Sequence, residues 1–145
     1  MTKKLIFATL AGSITQFVLG WLIYGLLLGS FMSSHSNHYE GLMKDMTTGS
    51  FMLLIFVSGL GMSFLLAFIF QRWAKFEKLF QGLTAGMLFG FFVALSYDIS
   101  SFAMMNLLSK RAMLADIIAN TIILGIVGAV IAWVLGFKSK STPAQ

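Results

Sequence analysis

The sequence predicts an all-α integral membrane protein, a bundle of four transmembrane helices with both termini in the cytoplasm. Three observations predict it. Hydrophobic residues make up 58% of the 145 and charged residues only 10%, a balance outside the range of soluble domains. Four stretches, about 5–32, 50–70, 81–101 and 112–136, are apolar over the roughly 20 residues a helix needs to cross a hydrocarbon core about 30 Å thick. Lysine and arginine are divided unevenly between the connections, and that bias marks the cytoplasmic side.

Helices are the default because an unpaired backbone group is costly in lipid, and these stretches lack the alternation and short length of barrel strands. The first span follows Met1-Thr2-Lys3-Lys4. Its apolar run is too long for a secretory leader, so it reads as an uncleaved anchor. A polar loop over residues 33–49 holds His35, His38, Glu40, Lys44 and Asp45. The second and third spans are joined by "QRWAKFEKLF", where Trp73, Phe76 and Phe80 alternate with cations as in a segment lying among headgroups. After the fourth span, residues 138–145 read as a disordered cytoplasmic tail, leaving residues 1–137 as one transmembrane domain.

Lys3, Lys4, Arg72, Lys75, Lys78, Lys138 and Lys140 share one side, against Lys44, Lys110 and Arg111 on the other. Seven against three places both termini inside. The net charge of +5 then reflects topology and attraction to anionic membrane lipid rather than nucleic-acid binding. Without cysteine, thiol catalysis and thiolate metal sites are excluded.

Small residues recur at every fourth place. Gly82, Gly86, Gly90 and Ala94 form a ladder in span three; Gly12 and Gly20 belong to a seam in span one, Gly59 to one in span two and Gly128 to one in span four. Helices gain little by hiding leucine from lipid, so they associate through close backbone approach and interhelical hydrogen bonds, which such seams permit. These seams predict packing, within the chain, in a homo-oligomer or against a membrane partner.

The span-three ladder ends at Asp98, about 24 Å from Gly82 along a helix rising 1.5 Å per residue. Asp116 begins span four at similar depth, with Asn120 a turn below it. An acid in a span costs about 2.5–3.5 kcal/mol at the centre and less near the surface, so a partner is expected. Two arrangements satisfy that. In one, Asp98, Asp116 and Asn120, with Tyr24 and Gln16 from span one, form an outward-facing pocket for a cation, a proton or a small polar ligand. In the other, the acids pair with Lys110 and Arg111 and close the hairpin between spans three and four. His35 and His38 have a spacing compatible with a metal only if their loop is helical; as loop residues they read as solvated. No cofactor is expected.

Several four-helix classes are excluded by missing residues. Small multidrug exporters need a glutamate in the first span, which has no acid; quinone-linked thiol oxidoreductases need cysteine; haem bundles need histidine within the spans. The Gly20-Trp21 and Tyr24-Gly25 pairs, the Gly82, Gly86, Gly90 ladder and the run "ADIIANTIILGIVGAVIAW" resemble a group of small bacterial four-span membrane proteins. That resemblance implies a bacterial inner-membrane location and carries no assigned reaction, so no site residues come with it. The sequence thus reads as a non-enzymatic membrane protein that self-associates or binds a membrane partner through its seams. The alternative is a small transporter or ligand-binding protein using the Asp/Asn pocket. A lipid-acting enzyme using an acid and His38 has no nucleophile motif behind it.

Overall fold

The computed structural model describes residues 3–41 and 49–137. Its elements are α1 (Lys3–Gly20), a π-helical continuation (Trp21–Leu27), α2 (Gly29–Ser34), α3 (Gly49–Ile69), a second π turn (Phe70–Ala74), α4 (Leu79–Met104) and α5 (Lys110–Phe137). Among the described residues it is all-helical, and four helices are long and apolar enough to span a membrane: Lys3–Leu27, Gly49–Ala74, Leu79–Met104 and Lys110–Phe137. The expected Lys44 and Asp45 of the first loop and the tail from Lys138 lie outside the described residues.

The first span ends earlier than the expected residue 32. Glycine at 20, 25 and 29 weakens the ordinary helical preference, and the turn widens over Trp21–Leu27, with the Leu28 N–H bonded to the Ile23 carbonyl five residues back at 2.7 Å. The short α2 then stops at His35. Span two runs past residue 70 through a similar widening and ends at Lys75, whose φ of 50° is left-handed. Trp73 in that π turn and Phe80 in the first turn of α4 are exposed, but Phe76 between them turns inward onto Phe70 and the core, the two rings meeting edge to face at 5.3 Å. The Gln81 side chain accepts the Lys78 N–H at 3.3 Å at the start of α4, satisfying one of the donors a helix start leaves open.

The bundle is organised around α5. In its most apolar window 56% of residues are buried, against 22–28% in the other three spans, which identifies it as the central helix. On one side α5 packs against α4; on the other it meets α1, which packs in turn on α3. Leu5 and Ala8 from α1, Leu66 and Ala67 from α3, Phe70, and Ile123, Leu124, Val127 and Ile131 from α5 form the shared core.

The α4–α5 contact is made backbone to backbone. A Cβ on Gly82 would collide with the Gly128 carbonyl, and one on Gly86 with the Leu124 carbonyl; on Gly90 it would fall 2.8 Å from the Asn120 carbonyl. Gly128 is equally constrained by the Gly82 carbonyl. The ladder and Gly128 are therefore in close approach within one chain. Gly12 lies under Ile131, Gly59 is in ordinary contact with Ser13, and Gly20 faces open space.

At the end of the bundle where α4 turns into α5, the first loop is tied to that turn. The Asn37 N–H donates to the Leu107 carbonyl at 2.8 Å and the Ser109 N–H to the His35 carbonyl at 3.0 Å, around an isolated bridge between Ser36 and Leu108. The Asn37 side-chain amide and the Tyr39 hydroxyl both donate to the Asn106 carbonyl, at 2.8 and 3.1 Å.

Candidate polar binding site

Each polar side chain is brought inward by a different feature of the chain. Asp98 extends the small-residue face of α4, the fourth-place continuation of Gly82, Gly86, Gly90 and Ala94, and so it points at α5 and is 2% exposed. Asp116 and Asn120 sit one turn apart on α5, where the Asn120 amide donates to the Asp116 Oδ2 at 2.9 Å and to its backbone carbonyl at 3.1 Å. Tyr24 comes from the π-helical part of span one. Such widened turns re-aim side chains and recur at functional sites; here the Tyr24 hydroxyl donates to the Asp116 Oδ1 at 2.7 Å while accepting from the Asn120 amide at 2.9 Å. Asp116, Asn120 and Tyr24 thus form a closed triangle.

Asp98 faces Asp116 closely enough for their carboxyls to interact directly, and Tyr24 lies within the field of both. One Asp98 oxygen, Oδ2, is buried without a hydrogen-bond partner. Neither acid is paired with Lys110 or Arg111, which are exposed at the start of α5. The salt-bridged hairpin is thus absent among the described residues: Lys110 and Arg111 are exposed, while Asp98 is buried and Asp116 half-buried. Two acids meet with no base among them, and burial raises the cost of holding both as bare carboxylates.

Gln16, Tyr24 and Asn120 line a cavity of about 500 Å³ between span one, α3 and α5. Phe17, Trp21, Phe51, Met52 and Ile55 supply much of its apolar wall. Asp98 and Asp116 do not line it; Tyr24 and Asn120, which do, both hydrogen-bond Asp116, and Asp98 lies behind Asp116. The Gln16 Oε1 is buried without a partner, as are the Thr9 and Ser63 hydroxyl oxygens. Of the five pocket residues read from the sequence, four lie in one connected cluster and Gln16 lines the cavity beside it. The aromatic wall was missed; Phe17 and Trp21 flank Gln16 and Tyr24 in sequence, but their shared cavity depends on how α1 and α3 are set apart.

The histidines are placed apart from this cluster. His35 ends α2, stacked on Phe31 with ring centres 4.3 Å apart, its Nδ1 within 2.9 Å of both the Ser34 hydroxyl and the Phe31 carbonyl. His38 is exposed. No group of three or more potential ligands gathers around either one among the described residues.

The fold and site define a four-helix protein with candidate membrane spans and a buried polar cluster at one end. The chain matches no protein-family model, no curated protein and no solved structure.

Proposed function

We propose that the chain is a small bacterial inner-membrane protein that binds and carries a cationic species at the Asp98–Asp116–Asn120–Tyr24 cluster. One observation carries this reading: two acids meet inside the helix bundle with no basic partner, and one Asp98 oxygen is buried and unpartnered. The cluster is short of positive charge, and a proton or cation completes it. The division of Lys and Arg between the connections supports termini on the cytoplasmic side, with the cluster toward the outer face. Asp116 supplies charge, Asn120 and Tyr24 hold its carboxylate in one orientation, and Asp98 is the second acid that makes the charge deficit large.

Self-association through the glycine seams has less support. The α4 ladder is taken up by α5 of the same chain, so it is not free to receive another protein.

Titration of the purified protein in lipid with acid, Na⁺ and K⁺ tests the reading. The native chain should bind a proton or cation that neither Asp98→Asn nor Asp116→Asn binds, both variants remaining helical and monodisperse. Equal binding by all three proteins would rule the cluster out.

A further inference from the structure

Resting on that reading, we infer that the cavity beside the cluster takes a lipophilic organic monocation, held by aromatic faces and by the acids behind Tyr24 and Asn120. Its volume of about 500 Å³ falls within the range of about 300–1,000 Å³ typical of sites for drug-sized ligands, and far exceeds the space an inorganic cation needs. Phe17, Trp21, Tyr24 and Phe51 bring four aromatic rings to one space. Ring faces attract a cation within about 6 Å, most strongly where water is excluded.

The polar part of the wall fits the same class of ligand. The Gln16 Oε1 is a buried acceptor without a donor. The Tyr24 hydroxyl spends its proton on Asp116 and accepts from Asn120, so it has no hydrogen left for a cavity occupant. A cation in the cavity is thus met by the Gln16 acceptor and aromatic rings, with two carboxyls behind Tyr24 and Asn120. An anion would oppose those carboxyls. A lipid acyl chain brings no positive charge to the Gln16 oxygen or to the carboxyls behind it.

The way in is lateral. Trp21, Met52 and Ile55 line the cavity and are 57%, 39% and 48% exposed on the helix surface, on a face that meets acyl chains if the spans cross a bilayer. A ligand arriving there must be soluble in lipid as well as charged, which separates this class from metal ions and hydrophilic amines.

Equilibrium binding of radiolabelled tetraphenylphosphonium to the full chain in phosphatidylcholine nanodiscs tests this. Binding should saturate, compete weakly with the neutral triphenylphosphine oxide, and weaken about tenfold or more in Asp116→Asn, tenfold corresponding to about 1.4 kcal/mol. Trp21→Ala, at a position 57% exposed, should weaken it several-fold, whereas Trp73→Ala, remote from the cavity, should not change it. Binding that never saturates, equal competition by the neutral oxide, or unchanged affinity in both Asp116→Asn and Trp21→Ala would overturn the inference. Proton, Na⁺ or K⁺ binding that needs the acids, without tetraphenylphosphonium binding, would reject the lipophilic ligand and leave the broader reading standing. Loss of both would reject both.

Discussion

The two faces of α5 are built on opposite principles. Toward α4, glycines face carbonyls, and no side-chain atom could be added at Gly82, Gly86 or Gly128 without moving a backbone. Toward α1 and α3, the contacts are made by side chains; they leave a cavity of about 500 Å³ and orphaned oxygens on Thr9, Gln16 and Ser63. The first face is close-packed, the geometry that holds helices together where the hydrophobic effect gives no help. The second retains polar groups that a purely structural interface would have satisfied. The contrast teaches that one helix serves as both clamp and wall. Close packing is concentrated on the α4 side, and it delivers Asp98 beside the more loosely packed side that holds the cavity.

Substitutions along the two faces sharpen or break this contrast. The largest effect is expected from Gly86→Leu, because the obstacle is α5 backbone and cannot rotate away; overpacking costs typically about 1–3 kcal/mol and occasionally more, and the upper end or complete loss of folded protein should appear in detergent unfolding. Gly12→Ala should cost about 1–2 kcal/mol, since its new carbon would meet the Ile131 side chain at 2.8 Å, and that side chain has some freedom to yield. Tyr24→Phe removes the hydroxyl between Asp116 and Asn120 and should cost about 1 kcal/mol, within the range measured for hydrogen bonds between membrane helices, while altering cation affinity by a larger factor than stability. Gly20→Ala should be the smallest, neutral or stabilising by up to about 1 kcal/mol, because nothing lies within 4 Å of the added carbon. If Gly86→Leu and Gly20→Ala unfolded at the same denaturant concentration, the proposed division between clamp and wall would collapse.

Sequence spacing made the close-packed face legible. Four small residues at fourth places must lie on one side of a helix, and Asp98 inherits that direction as the next step in the series. Asp116 and Asn120 are legible as a pair for the same reason. The wall side is less legible. Tyr24 reaches Asp116 through a widened turn, whose only sequence correlates are Gly20, Gly25 and Gly29, and regular helical counting does not give its direction. Lys110 and Arg111 stand close to Asp116 in sequence, yet helix rotation carries them to the surface. The cavity arises from the separation of α1 and α3, a tertiary quantity that residue spacing does not encode.

Synthesis order gives the central position of α5 a further meaning. The helix on which the others lean, α5, follows them in sequence, so α1, α3 and α4 leave the ribosome before their common support exists. During that interval the glycine ladder of α4 has no mate, and Asp98 waits in an unfinished setting. Assembly of the cluster therefore waits on the docking of α5, and a chain arrested before Lys110 would hold three helical rods with no finished site among them.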